Sequence, residues 1–157
     1  MKALVAYYSR SGNTKTMAEH IAQAISSQAI DTDLKLITGV SADELTGYDI
    51  LVFGSPVYYG TMAYQVKQLL DESVKLHGQL DGKIGGAFST AANIAGGNET
   101  TILDILNACL IHGMIIQGDP QGDHYGPVAI GKPDPRSLAE CKRFGIRIAQ
   151  LAKRLLA

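Results

Sequence analysis

After Met1 and Lys2 the chain reads Ala3-Leu4-Val5-Ala6-Tyr7-Tyr8-Ser9-Arg10-Ser11-Gly12-Asn13-Thr14. An apolar run, a small polar loop and then apolar residues at helical spacing predict a strand, a loop and a helix. The helical pattern rests on Met17, Ala18, Ile21, Ala22 and Ile25. Hydroxyl groups and backbone N–H groups at a helix N-terminus suit a phosphate monoester. An ordinary strand-to-helix turn, with Ser or Thr capping the helix, explains the same loop equally well.

The bulk properties predict one globular domain spanning residues 1–157. A chain of 157 residues with 46% hydrophobic and 18% charged residues has the composition of a soluble protein. Its apolar runs are far shorter than the roughly 18 residues that a membrane span requires. The first residues form a strand pattern with a single Lys and do not resemble a signal peptide. The sequence therefore predicts a cytoplasmic location and no membrane association.

Charge is spread unevenly along the chain. The net charge is −1, but residues 132–157 carry seven basic and two acidic residues, which leaves −6 on the remainder. These basic residues flank an apolar stripe, so the sequence predicts a solvated face of a last helix. No aromatic residues alternate with the basic ones, so nucleic-acid binding is not expected. Cys109 and Cys141 have no metal-ligand spacing, and we expect buried thiols and no metal site.

Short apolar runs alternate with helical patterns along the whole chain. The runs predict strands at 3–8, 34–37, 50–54, 84–88 and 114–117. Helical periodicity predicts helices at about 14–27, 63–76, 99–112 and 136–156, and residues 41–45 suit a single helical turn. This alternation is typical of an α/β protein whose five-stranded parallel sheet has helices on both faces. Ligands of such sheets bind beyond the carboxyl ends of the strands.

The loop after the third strand carries two adjacent aromatic residues. It reads Gly54-Ser55-Pro56-Val57-Tyr58-Tyr59-Gly60-Thr61-Met62. Tyrosine rings in an exposed loop are suited to stacking on a planar heterocycle. Either Tyr could instead pack into the core beneath the loop.

Two further loops end at the same predicted edge. Residues 89–101 are small and polar and contain Gly96-Gly97, which lets a ligand approach the backbone closely, although Asn98 or Thr100 could simply cap the next helix. Residues 118–127 are rich in turn formers and include His124-Tyr125. This last loop suits a rim beside the site, a subunit contact or a plain surface loop.

Several other α/β chemistries lack their signatures in this sequence. There is no GxxxxGK[ST] for a P-loop and no GxGxxG for a dinucleotide fold. The first loop has no Cys, as a low-molecular-weight phosphatase would need, and no acidic residue ends the first strand, as in a receiver domain.

The motifs together resemble a known family. Ser9-Arg10-Ser11-Gly12-Asn13-Thr14 is similar to the FMN-phosphate loop of flavodoxins. Its combination with 54–60, 96–101, His112-Gly113-Met114 and Tyr125-Gly126 most resembles the WrbA-type NAD(P)H:quinone oxidoreductases, of which this chain would be a short member. The resemblance implies a flavodoxin-like three-layer sandwich with strand order 2-1-3-4-5.

The resemblance also implies FMN as the cofactor and assigns residues to it. The phosphate would be held by Ser9, Arg10, Ser11, Gly12, Asn13 and Thr14. The ring would be lined by Pro56, Val57, Tyr58, Tyr59 and Gly60. The residues that would contact the far edge of the ring, the ribityl chain and their surroundings are Ser89, Thr90, Ala91, Asn93, Gly96 and Tyr125. Catalytic roles would fall to Tyr58, Tyr59 and His112, although His112 also suits a helix C-terminus.

Two redox functions follow from this resemblance. In the first, NAD(P)H passes hydride to the flavin N5 and a quinone then takes electrons at the same place, a ping-pong scheme. In the second, the chain is a flavodoxin that carries electrons between redox proteins, which usually dock through an acidic surface. A fold used only for interaction, with the cofactor site lost, is a third possibility. Since the chain lacks the WrbA-type insertion before the fourth strand, we expect a monomer or homodimer.

Overall fold

The computed structural model describes residues 1–156, which form an α/β sandwich. The strands are β1 Lys2–Tyr7, β2 Asp31–Leu36, β3 Ile50–Tyr58, β4 Thr61–Met62, β5 Ile84–Ala91, β6 Ile115–Ile116 and β7 Val128–Ile130. The helices are α1 Asn13–Ser26, α2 Tyr64–Glu72, α3 Asn98–Ile111 and α4 Pro135–Leu156. Short 3₁₀ helices occupy Ile37–Gly39, Ala42–Gly47 and Ser73–Leu76. The single turn predicted at 41–45 is therefore a 3₁₀ helix.

The main sheet runs in the order β2-β1-β3-β5-β6, with parallel pairing between these neighbours. In chain order this is 2-1-3-4-5 for the five predicted strands, so the predicted topology is confirmed. The strand count is larger than predicted, because the described residues contain seven strands. β4 pairs antiparallel with the end of β3, which extends four residues beyond its predicted limit.

The fifth predicted strand is divided into two pieces. β6 pairs with Ile84 and Gly85 at the start of β5, whereas β7 pairs with residues 89–91 at its end. Residues 117–127 connect the two pieces as a loop, and their Gly and Pro residues interrupt the ladder. The amino-terminal edge of the sheet therefore receives β6, and the carboxyl edge receives β7.

Helices cover both faces of the sheet, as predicted. One core cluster joins α2 and α3 to alternate strand residues such as Leu51 and Phe53. The other joins α1 and α4 to the intervening residues, such as Val5 and Val52. Continuous burial along β5 explains why its sequence reads as an unbroken apolar and small-residue run. Cys109 and Cys141 are buried free thiols, as expected, and burial raises the pKa of each to about 12.

The described part of the chain has no helix that combines the length and the apolar character needed to cross a membrane. The last helix, α4, spans 22 residues and buries mainly small ones: Ser137, Cys141, Gly145, Ile148, Ala149 and Ala152.

Candidate functional site

The loop between β1 and α1 contains several free backbone N–H donors. Gly12 precedes α1 in a left-handed conformation, with φ 92°, and its N–H donates to Ser9 Oγ at 3.1 Å. Among the described residues, the N–H groups of Ser11, Asn13 and Thr14 donate to no acceptor. Converging free N–H groups at a helix N-terminus bind anions. No side chain caps α1, so the capping explanation of this loop is not supported.

The two tyrosines lie in a tight hairpin between β3 and β4. Tyr58 pairs with Thr61, so Tyr59 and Gly60 form a two-residue turn, and both have positive φ values of 50° and 83°. Such a turn favours Asn-Gly or Gly-Gly, and a Tyr in the left-handed region is strained. The Tyr59 ring is fully exposed, whereas Tyr58 is half-buried. Backbone strain of this kind concentrates at functional sites.

Tyr58 is held by a neighbouring aromatic ring. Its ring lies 6.4 Å from that of Tyr8, at an interplanar angle of 76°. This edge-to-face pair connects the hairpin to the loop that follows β1. The carboxyl ends of β1 and β3 therefore present a joined surface.

The loop after β5 packs directly against this hairpin. A Cβ placed on Gly97 would come within 2.8 Å of Gly60 Cα and 3.1 Å of Val57 Cγ1, so only glycine fits there. Thr100 Oγ1 donates to the Gly60 carbonyl at 2.6 Å. Thr100 thus bonds to the hairpin as well as to the Gly97 carbonyl beside it.

A buried pair of hydroxyl groups joins the end of β5 to the first turn of α1. Thr14 Oγ1 and Thr90 Oγ1 lie 2.9 Å apart, and both side chains are buried. The structure therefore brings three predicted loops together at one edge. They hold Ser9, Arg10, Ser11, Gly12, Asn13, Thr14, Pro56, Val57, Tyr58, Tyr59, Gly60, Ser89, Thr90, Ala91, Asn93 and Gly96.

Tyr125 lies at this edge but outside the three loops. It lines a cavity of about 530 Å³ together with Ile94, Ala95 and Gly97 of the loop after β5, the first turns of α3, and other residues between 122 and 130. The loop between β1 and α1 and the Tyr58–Gly60 hairpin do not line that cavity. The prediction that Tyr125 contacts the same ligand as these loops remains a prediction.

His112 lies at the opposite edge of the sheet from the loops after β1, β3 and β5. The resemblance implied that it lies beside these loops, and the structure corrects that expectation. It follows α3 and precedes β6, which pairs with the first residues of β5. The length of β5 separates the two edges by about 20 Å. His112 is buried, and its Nε2 lies 2.8 Å from Ser73 Oγ. Burial lowers the pKa of its imidazole. The residue closes a helix, and we do not retain a catalytic role for it within one chain.

A second correction concerns the basic residues of α4. Arg143 forms a bidentate ion pair with Asp119, with Nη2 at 2.7 Å from Oδ1, and Arg147 Nε lies 3.3 Å from Oδ2. Arg136 Nη1 bonds Asp123 Oδ1 at 2.8 Å. These arginines therefore clamp residues 118–128 onto α4 and are not merely a solvated helix face. Sequence spacing gave no sign of the clamp, because its partners are 13 to 28 residues apart.

The Asp119–Arg143 ion pair should make the free energy of unfolding depend on pH in the acid range. The Arg143 guanidinium holds the pKa of Asp119 well below its usual range. A carboxylate with a lowered pKa stabilises the fold fully at pH values above its unfolded pKa of about 3.9, and this contribution declines below that value and is lost as pH falls through the folded pKa. We expect Asp119→Asn to reduce the free energy of unfolding at pH 7 by about 1–3 kcal/mol. The difference should shrink as the pH approaches 3, as measured by denaturant titration.

The matched control is Asp71→Asn. Asp71 forms an exposed i,i+4 ion pair with Lys67 at 2.6 Å. Such pairs contribute only about 0.3–0.5 kcal/mol. Amide hydrogen exchange of residues 118–126 should quicken in the Asp119 variant alone. Equal stability loss in the two variants would contradict the clamp.

Charges are balanced at the carboxyl edge. The loops and helix starts there hold basic Arg10, Lys15, Lys132 and Arg136 and acidic Glu99, Asp123 and Asp134, and Arg136 pairs with Asp123. Around the amino-terminal edge, lysines accompany the acidic residues, and the ion pairs there include Lys2–Asp33, Lys35–Glu44 and Lys75–Asp43. The described loops at this edge therefore carry charges of both signs.

Comparison with known proteins identifies the family. A family model described as a flavodoxin domain matches residues 4–100. A flavodoxin of Aquifex aeolicus is 35% identical over 158 residues, covering 95% of this chain and 85% of that protein. An NAD(P)H dehydrogenase (quinone) of Archaeoglobus fulgidus is 37% identical over 122 residues, covering 72% of this chain and 64% of that protein. The solved structure of an archaeal flavodoxin superposes with a TM-score of 0.82 at 34% identity, covering 98% of this chain and 99% of that one. The chain belongs to the flavodoxin family.

Proposed function

We propose that the protein binds FMN at the three-loop edge and uses it to oxidise NAD(P)H and reduce a quinone. The overall reaction converts NAD(P)H, a proton and a quinone into NAD(P)⁺ and a hydroquinone, so electrons and protons balance. When bound, FMN supplies the chemistry, because its ring accepts a hydride and passes electrons on. The protein contributes position, exclusion of water and electrostatics.

The phosphate of FMN fits the loop after β1. The free N–H groups of Ser11, Asn13 and Thr14 converge there with the positive end of α1. The hydroxyl groups of Ser9 and Ser11 add polar contacts, and the exposed Arg10 supplies a positive charge. These groups supply the hydrogen-bond donors and the positive charge that an anionic phosphate monoester requires.

The ring of FMN fits between the hairpin and the loop after β5. Pro56, Val57, Tyr58, Tyr59 and Gly60 would line one side of it. Ser89, Thr90, Ala91, Asn93 and Gly96 would contact its far edge and the ribityl chain. The N–H groups of Ala92 and Asn93 donate to no other described group and are suited to the ring carbonyl oxygens.

The observation that carries the enzymatic function is the charge balance at this edge. NAD(P)H is an anion, and an acidic rim would repel it. Here Arg10 and Lys15 flank the phosphate loop, and Arg136 pairs with Asp123 in a neighbouring loop. One exposed flavin face could therefore admit NAD(P)H first and a quinone after it, which predicts ping-pong kinetics.

A second candidate is electron transfer between redox proteins. Its support is that the Aquifex aeolicus relative, which covers nearly this whole chain, is named a flavodoxin. In this function the partner is a redox protein, and NAD(P)H does not react directly. The expected monomer or homodimer is compatible with both candidates and remains a prediction.

One experiment separates the two candidates. The purified protein is reconstituted with FMN, made anaerobic and mixed with NADH or NADPH while the flavin absorption band is followed. We expect rapid bleaching without any added reductase, and recovery of the band on addition of benzoquinone. Free FMN at the same concentration is the control.

Each other outcome has a definite meaning. If the flavin bleaches with dithionite but with neither nucleotide, the enzymatic function is wrong and the carrier remains. If the protein takes up no FMN, both redox functions are wrong, and a fold used only for interaction would remain.

A further inference from the structure

The side chain of Tyr59 does nothing to hold the Tyr59-Gly60 turn in its strained conformation. Tyr59 has a φ of 50°, although its residue type disfavours the left-handed region. Its ring is fully exposed and gains no packing that would offset the strain. A strained turn persists only where surrounding contacts determine its conformation. Contacts made by other residues must therefore hold this turn.

A buried hydroxyl group supports the base of the hairpin from inside. Ser55 is fully buried, and its Oγ accepts the Ala63 N–H at 2.9 Å and donates to the Pro56 carbonyl at 2.8 Å. These bonds join the two strands where the hairpin begins. Its tip, Tyr59-Gly60, depends on other contacts.

Helix α3 reaches the tip through two hydrogen bonds. Thr100 Oγ1 donates to the Gly60 carbonyl at 2.6 Å. On the next residue of the hairpin, Thr61 Oγ1 donates to Asp104 Oδ2 at 2.5 Å. Thr100 and Asp104 are four residues apart, so they lie on the same face of α3. One helix face therefore holds two successive residues of the hairpin.

The Thr100 hydroxyl group has one proton and two carbonyl acceptors within reach. The Gly97 carbonyl lies 3.0 Å from Thr100 Oγ1, but it already accepts the Thr101 N–H at 3.0 Å. The Gly60 carbonyl is closer, and no backbone N–H of residues 1–156 donates to it. The proton therefore belongs to the bond with Gly60, which joins the helix to the hairpin.

We propose that Thr100 and the Thr61–Asp104 pair position the strained hairpin in the conformation that contacts FMN. This inference rests on the proposed FMN site, because the hairpin would line one side of the ring. A surface that already has its bound conformation loses less conformational entropy on binding. Loss of either bond lets the turn relax before FMN arrives, which weakens binding and changes the surroundings of the ring.

The first test measures amide hydrogen exchange of residues 60–62 in the FMN-free protein. Thr100→Val removes the first bond and keeps the branched shape, and Thr61→Val removes the second and leaves the Asp104 charge in place. We expect each substitution to accelerate exchange at least about threefold. Exchange in residues 105–111 of α3 should change little. Thr100→Ser restores the hydroxyl group and should restore slow exchange.

The second test adds FMN and measures its Kd and the midpoint potential of the bound flavin. Thr100→Val should raise the Kd about threefold to tenfold, and Thr100→Ser should bind as the wild type does. The potential in Thr100→Val should move toward that of free FMN, because a loosened hairpin admits water to the ring. A residue that only stabilised the fold would leave this potential unchanged.

Thr46→Val is the matched control. Thr46 is exposed, and its Oγ1 donates to the Asp43 carbonyl three residues earlier at 2.9 Å, as Thr100 Oγ1 could do to Gly97. This variant loses a local bond of the same kind but should leave exchange at residues 60–62, the Kd and the potential unchanged. In the Tyr59→Asn background, Thr100→Val should accelerate exchange less, because an Asn-Gly turn needs less support.

Three results would overturn the proposal. These are a Thr100→Val variant that behaves as Thr46→Val does, failure of Thr100→Ser to restore wild-type values, and exchange that accelerates equally along α3. The last would make Thr100 a residue that stabilises the helix alone. If the wild type takes up no FMN, the proposed function is wrong and so is the cofactor part of this inference, whereas exchange still decides whether α3 holds the hairpin. Failure of NAD(P)H to bleach the flavin would count against the enzymatic function and leave the Kd comparison intact.

Discussion

Gly12→Val is expected to give a folded protein that no longer retains FMN. Gly12 has φ 92° and ends the loop whose N–H groups converge at α1. A β-branched residue in the left-handed region costs about 1–2 kcal/mol or more. The backbone would relieve this strain by rotating, which turns the neighbouring N–H groups away from the phosphate. We expect the Kd for FMN to rise at least about tenfold.

Gly39→Val provides a matched control. A Cβ on either Gly12 or Gly39 would have no neighbour within 4 Å, but only Gly12 has a positive φ. The two variants therefore differ in backbone strain and not in crowding. Gly39→Val should change the free energy of unfolding by no more than about 0.5 kcal/mol and leave FMN affinity unchanged.

Fluorescence titration of FMN and denaturant unfolding measure the two effects separately. An unfolding loss of about 1–2 kcal/mol is tolerable for a domain of ordinary stability. If Gly12→Val is destabilised but binds FMN as tightly as the control, the phosphate does not lie in this loop, and the proposed site is wrong.

The topology could be predicted from the sequence because it depends on local patterns. The apolar runs of β1, β3 and β5 alternate with helical periodicity, and such alternation permits few arrangements other than a parallel sheet. The three loops were found for the same reason, since parallel strands present their carboxyl ends at one edge. The Gly12-Asn13-Thr14 motif could be recognised from adjacent residues alone, without knowledge of contacts between distant parts of the chain.

The features that were missed depend on contacts between distant residues. The Asp119–Arg143 pair and the division of the last strand into β6 and β7 depend on where a loop packs, which no local pattern records. The position predicted for His112 was wrong because a motif match identifies the residue but does not tell at which edge of the sheet it lies. The strain at Tyr59 is visible only as a backbone angle, since the residue type argues against a left-handed turn.

Tyr59→Asn is expected to make the protein more stable and at the same time weaken FMN binding. Tyr59 is the first central residue of a two-residue hairpin turn, where φ is 50°. Asn-Gly is the preferred sequence for this turn, because Asn tolerates the left-handed region. Removing the strain should raise the free energy of unfolding of the FMN-free protein by about 1 kcal/mol.

The same substitution removes an exposed ring that would stack on the flavin. Stacking between a heterocycle and an aromatic side chain contributes about 1–3 kcal/mol. We therefore expect the Kd for FMN to rise about tenfold or more, within the range that this free energy implies. Opposite signs for stability and binding are what a strained functional residue should give.

Tyr64→Ala is the control, because Tyr64 is 72% exposed in the first turn of α2 and has no positive φ. It should leave FMN affinity unchanged and alter stability little. Denaturant unfolding without FMN, followed by FMN titration, tests both arms. If Tyr59→Asn destabilises the hairpin, the strain is not real. If it stabilises the fold but leaves FMN affinity intact, the ring does not contact the cofactor, and Tyr58 alone would have to line that side of the flavin.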